Sequence, residues 1–179
     1  KSLHVEVFHK IKDEHELWIE ESLESKKLSP DEIFYAETTD LISNVLQLDQ
    51  WSWFIDNAVR HLVHHDFISA ANIIVERQMA IEWPDSKPEL KEKIEDLMKA
   101  YERYINQYLE RVRPRENGEF YGPDTSYKSI YPNPNYSYES TKTDLWAQKN
   151  FLLLCDFTSK LNQFAKAVRN HSNPFFFHV

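Results

Sequence analysis

"SKPELKEKIEDLMKAYERYINQYLERV", residues 86–112, decides the fold class. Leu90, Ile94, Leu97, Met98, Tyr101, Ile105, Tyr108 and Val112 recur every three or four residues, and the positions between them are mostly charged. That spacing puts one apolar stripe on one side of an α-helix. Pro88 fits a first helical turn, and Ser86 with Glu89 has the spacing of a capping box.

The same reasoning extends outward in both directions. In "LSPDEIF", Ser29 is a natural N-cap, Pro30 suits the first helical position and Glu32 completes a capping box. The helix it starts carries Phe34, Thr38, Leu41, Ile42 and Val45 on one face and is expected to reach about residue 48. Residues 3–27 read as a further helix, with Val7, Ile11, Trp18 and Ile19 on one side and a run of acids from Asp13 to Glu24 on the other. From a cap at Asp49, an apolar pattern through Trp51, Phe54, Ala58, Leu62 and Phe67 continues to Trp83, with Asp66 as a second N-cap that divides it. Trp51, Trp53 and Phe54 are expected in the core. Helix resumes near Thr141, with Leu145, Leu152, Leu153, Phe157, Leu161, Phe164 and Val168 taken as its buried stripe.

Residues 113–140 break the pattern. They hold both glycines, four of the eight prolines and five of the nine tyrosines. An irregular connection is expected there, with a short hairpin at Asn117-Gly118. The fold class predicted is therefore all-α: a single domain over residues 1–179, a bundle of about five or six helices, with residues 113–140 packed on or across it as a strap.

Bulk composition narrows the function. A chain of 179 residues, 41% hydrophobic and 28% charged, buries a core without metals or disulfides. A net charge of −8 argues against binding nucleic acid over the whole surface. No apolar run approaches the ~18 residues that span a bilayer, and no signal peptide is visible. Cys155 in "FLLLCDF" reads as a small buried hydrophobe, which favours a reducing, cytoplasmic compartment. The chain begins at Lys1, so an anchor or neighbouring domain ahead of it stays open. No cofactor motif is present.

Candidate chemistry gathers in "AVRHLVHHDFISAA", residues 58–71. On a helix, His61 and His65 lie four apart on one side and have the spacing to chelate a transition metal. The competing reading is a polar stripe beside the core. "RHLVHH" also resembles the arginine–polar–x–x–x–histidine motif of HEPN ribonucleases, which are small all-α domains. That resemblance covers these six residues. It implies that Arg60 and His65 act together on an RNA backbone, the arginine stabilising phosphate charge and the histidine moving a proton at the 2′-oxygen.

Two further surfaces suggest partner binding. Tyr121, Tyr127, Tyr131, Tyr136 and Tyr138, stiffened by prolines, have the flat apolar faces and polar tips of contact residues. Phe175, Phe176 and Phe177 in "PFFFHV" either pack back on the bundle or dock on something. Arg111, Arg113 and Arg115 read as favourable charge at a helix C-terminus. With complete helical patterning and no specific catalytic motif, the first expectation is a non-catalytic interaction or regulatory module with a protein partner, and a homodimer among the possibilities. The ribonuclease and the metal-binding bundle are the alternatives.

Overall fold

A computed structural model describes residues 28–70, 73, 82–115 and 118–177. The expected helix over 3–27, and much of the pattern from Ala71 to Ile81, lie outside the described residues. Contacts divide the chain into two compact units, residues 1–35 and 36–179.

In the first unit the capping box forms as the sequence predicts. Ser29 N–H donates to Glu32 Oε2 at 2.8 Å, and Glu32 N–H donates to Ser29 Oγ at 3.2 Å. These bonds satisfy two amides at the start of α1, Pro30–Val45. Gln47, in the left-handed region at φ 50°, ends that direction of the chain.

The second unit is mostly helical, as expected, and carries a small sheet. After a 3-10 turn at Leu48–Gln50 comes α2, Trp51–Ala58. Then follow a two-residue strand β1, Val63–His64, and a helical run over 65–70. The long helices are α3, Pro88–Leu109, and α4, Tyr136–His171. Between them, β2 (Val112–Pro114) and β3 (Phe120–Pro123) pair antiparallel across Gly118, which is at φ 72°. This is the hairpin expected at Asn117-Gly118. β1 adds to its other edge, antiparallel, to give the order β1-β3-β2.

The stripe read from residues 86–112 is the core face of α3. Leu90, Ile94, Leu97, Met98, Tyr101, Ile105 and Tyr108 are all buried. Facing them on α4 are Trp146, Asn150, Leu154, Phe157, Leu161, Phe164 and Val168. Phe157 is a hub of this core, with ring contacts to Trp51 at 5.7 Å, Tyr101 at 5.6 Å and Tyr104 at 6.1 Å. Phe54 stacks on Phe67 at 3.9 Å and ties α2 to the 65–70 run.

Several local expectations are corrected. No side-chain cap holds the start of α3 or α2, so neither the Ser86–Glu89 box nor an Asp49 cap forms. Lys87 Nζ instead reaches His171 O at 2.8 Å, and Glu89 pairs with His171 at 2.9 Å, joining α3 to the end of α4. The irregular segment ends at residue 135 rather than 140, because α4 starts at Tyr136. Trp53 is exposed rather than core. Leu145 and Leu152, expected in the buried stripe, are 60% and 68% exposed. No helix among the described residues is long and apolar enough to cross a membrane.

Candidate functional site

α2 stops at Ala58, and the chain reverses through residues 59–61. Arg60 N–H donates to Asn57 O and His61 N–H to Ala58 O, both at 2.9 Å. His61 sits at φ 59°, a left-handed conformation uncommon for a residue with a Cβ. Leu62 and Val63 then extend, and Val63 and His64 pair with Tyr121 and Phe120. The bond from His65 N–H to Glu119 O, at 2.8 Å, closes the junction. "RHLVHH" is thus a turn, an edge strand and a helix start. The helical i, i+4 relation between His61 and His65, on which metal chelation rested, is absent.

The three histidines take three separate environments. The His61 ring is half-buried, 5.3 Å from Trp146, with Nδ1 at 3.5 Å from Asn150 Nδ2. Burial pulls its proton affinity below the usual histidine range. His64 caps the 65–70 run: its Nδ1 accepts the Asp66 N–H at 3.3 Å. Asp66, expected as the cap itself, is therefore one residue inside the helix. The His64 ring also lies 5.9 Å from Trp53 and 5.2 Å from Phe120. His65 is exposed, stacked beside Tyr121 at 6.3 Å, with Nε2 at 3.3 Å from Ser69 Oγ. Arg60 is exposed on the turn, and its side chain makes no hydrogen bond or ion pair among the described residues. No group of three or more histidine, cysteine, aspartate or glutamate side chains stands close enough to hold a metal among the described residues.

One hydroxyl secures this junction. Tyr108 on α3 is directed at His61 O, 3.1 Å, and Tyr121 O, 2.8 Å, so a single buried donor ties the turn and β3 to the core. Its burial holds the phenol well above its ordinary titration range. One turn earlier, Tyr104 is equally buried, yet its hydroxyl makes no hydrogen bond. Asn150 Oδ1, fully buried nearby on α4, is likewise unpaired.

The tyrosine segment packs as a strap for much of its length. Tyr127 is buried against Tyr136 at 5.6 Å, and Asn133 Nδ2 donates to Tyr127 O at 2.7 Å. Tyr121 is half-buried, Tyr131 is 98% exposed, and Tyr138 is exposed with the Lys142 ammonium 4.2 Å over its ring. The arginines tie the strap down. Arg111 pairs with Glu139 at 2.7 Å and Arg113 with Asp124 at 3.6 Å. The Arg115 guanidinium lies over Gly122, in space that any Cβ there would occupy. The phenylalanine tail divides its roles. Phe176 packs on Phe164 at 5.6 Å while Arg169 Nη1 donates to Phe176 O at 3.0 Å; Phe175 stays 82% exposed.

A surface that the sequence reading missed lies between α2 and α4. A groove of about 930 Å³ is lined by Trp51 and Ile55 from α2, by Val59 just past its end, and by Phe151, Leu154, Cys155 and Thr158 from α4, among others. Cys155 is exposed in its wall rather than buried. A second hollow of about 500 Å³ shares Trp51 and Ser52 with it and reaches Phe175, Phe176 and Phe177. The missed signal is the width of the apolar run "FLLLC". Four consecutive apolar side chains cannot all face α3, so Phe151 and Leu152 point elsewhere.

Compared with protein-family models, with curated proteins and with solved structures, the chain matches none.

Proposed function

We propose that this chain is a non-catalytic helical interaction module whose contact surface is the α2/α4 groove and its continuation to the phenylalanine tail. The observation that carries the reading is an open groove of about 930 Å³ whose lining includes exposed Val59 and Phe151, on a helix, α4, that also exposes Leu145 and Leu152. Large exposed apolar patches on otherwise polar proteins mark interaction sites. The groove lining includes one acid, Asp56, and one base, Lys166, on a chain whose charged fraction is 28%. Depletion of charge at the centre of a patch is the compositional mark of protein interfaces. The groove runs between two helices, a form that takes the apolar face of a third helix.

Cys155 provides the test. In native extract its thiol should alkylate slowly in the wild-type chain and fast in Leu152→Glu, with both chains folded by circular dichroism. Fast alkylation of the wild-type chain, both purified and in extract, overturns the reading. So does a turnover, on RNA for instance, that His65→Ala abolishes while the fold survives.

A further inference from the structure

We infer that the occupant of the α2/α4 groove is a second copy of this chain, packed so that the two α4 helices run antiparallel about a two-fold axis near Leu152. This rests on the groove reading above and names its partner.

A two-fold interface uses one patch on both protomers, so that patch must carry a projection and a recess together. This face does. Leu145 and Leu152 stand out on α4, seven residues apart and more than half exposed, and the groove runs along the same helix, lined there by Phe151, Cys155 and Ser159. The row continues at the same spacing to Ser159, and Gln148, Cys155 and Asn162 form a parallel row three residues on, all exposed. Residues seven apart share one side of a helix, so the two rows form one exposed strip along α4, and Cys155, Ser159 and Asn162 of that strip line the groove.

Side-chain size sets the direction. In the leucine row the large residues, Leu145 and Leu152, come first and the small Ser159 last. An antiparallel pair centred on Leu152 places Leu145 of one copy over Ser159 of the other, large against small. A parallel pair would stack Leu145 on Leu145 and leave Ser159 facing Ser159. Charge agrees, since the antiparallel register brings Lys149 of each copy toward Asp156 of the other. Asp156 already holds Arg103 at 2.7 Å on its own chain, so Lys149 would join an existing ion pair. The interface also answers a general difficulty: each chain carries −8, and association through strongly acidic faces would be self-repelling. The groove, with one acid and one base in its lining, avoids that.

The experiment is sedimentation velocity of the full purified chain over a concentration series, with wild type, Leu152→Glu, Leu145→Glu and Lys149→Glu in parallel. The wild type should sediment as a dimer. Each leucine variant should be monomeric at the concentrations where wild type is dimeric, and Lys149→Glu should weaken the dimer about tenfold, all with unchanged circular dichroism. Cys155 reports the register. It lies three residues from the axis, so the two thiols would be about 9 Å apart along the helices. A short bismaleimide should link them into a covalent dimer, whereas mild oxidation should not. A dimer indifferent to both leucine variants overturns the proposal, and direct Cys155–Cys155 disulfide formation overturns the antiparallel arrangement. A purified monomer whose Cys155 is nonetheless protected in extract overturns the second-copy partner and leaves the groove reading standing. A monomer with Cys155 reactive in both settings overturns both.

Discussion

Tyr104 and Tyr108 offer a matched comparison, because the same atom can be deleted from each with opposite expected effects. Both lie on the buried face of α3, one turn apart, and both are fully buried. Both rings sit in aromatic contacts that a phenylalanine would keep, Tyr104 with Phe157 and Tyr108 with Trp146 at 5.8 Å. They differ in their hydroxyls. That of Tyr108 serves the carbonyls of His61 and Tyr121, whereas that of Tyr104 has no hydrogen-bond partner. Burial holds the Tyr104 phenol well above its usual range; neighbouring Asn150 pulls it the other way, without a formed hydrogen bond to the hydroxyl. Tyr108→Phe leaves two carbonyls without their shared donor and should cost about 1–3 kcal/mol. Tyr104→Phe removes a desolvated group that gains nothing, so it should be neutral or stabilising by up to about 1 kcal/mol. A gap of roughly 2 kcal/mol corresponds to about 4–8 °C in Tm for a chain of this size. Urea unfolding followed by tryptophan fluorescence, with m-values unchanged, measures it. Equal losses for the two variants, or a larger loss for Tyr104→Phe, would refute the assignment of Tyr108 as the residue that holds the 59–64 junction to the core.

Two further outcomes follow from local contacts. Because burial lowers the proton affinity of His61 in the folded chain, the unfolded chain binds its proton first as pH falls through about 6.5. The His61 contribution is therefore complete above that pH and is lost below it; denaturation midpoints at pH 7.5 and 5.5 should converge in His61→Gln relative to wild type. The carboxylates held low, Asp96 by Lys160 and Asp124 by the Ser126 amide, act only in a more acidic window and leave that comparison undisturbed. Ser29→Ala should destabilise α1 by about 1 kcal/mol through loss of its capping box, read as faster amide exchange in its first turn.

What the sequence made legible was regular periodicity with a free choice of partner. The stripe on α3 is unbroken from Leu90 to Tyr108, so most of its core face could be read, though buried Ala100, Tyr104 and Gln107 fell outside it and Val112 belongs to β2; the Ser29–Glu32 box depends on atoms three residues apart. The stripe on α4 could not be read in the same way. Its true register runs 146–150–154–157, and Asn150, polar and fully buried, interrupts the apolar signal at that position. Leu145 and Leu152 supplied a convincing but wrong alternative, and Cys155 was assigned to the core with them. The junction at 59–64 was illegible for another reason. β1 is two residues long, too short to show alternation, and it is flanked by helical patterns on both sides. Its conformation is fixed by the hairpin it joins and by Tyr108, both more than 40 residues away in sequence. The Ser86–Glu89 box does not form because the helix starts at Pro88 and makes Lys87 the N-cap, while Glu89 pairs with His171 on a different helix.

The histidines of "RHLVHH" can be asked directly whether they are structure or chemistry, and His64 gives the sharpest answer. As a cap it needs only an acceptor for the Asp66 N–H, and asparagine is among the best residues for that role. As an acid, base or ligand it needs an imidazole, which asparagine cannot supply. His64→Ala removes the cap, the ring contacts with Trp53 and Phe120 and the 3.5 Å approach to the Asp66 carboxylate; His64→Asn removes all of these but the cap. The difference in unfolding free energy between the two variants therefore isolates the cap and should be about 1 kcal/mol in favour of asparagine. Indistinguishable stabilities would sink the capping assignment. If the asparagine variant keeps its cap and also keeps the association behaviour of the wild type, the histidine at this position is explained by the backbone it terminates. The search for function then stays with the α2/α4 groove, where Val59, Phe151 and Cys155 are exposed.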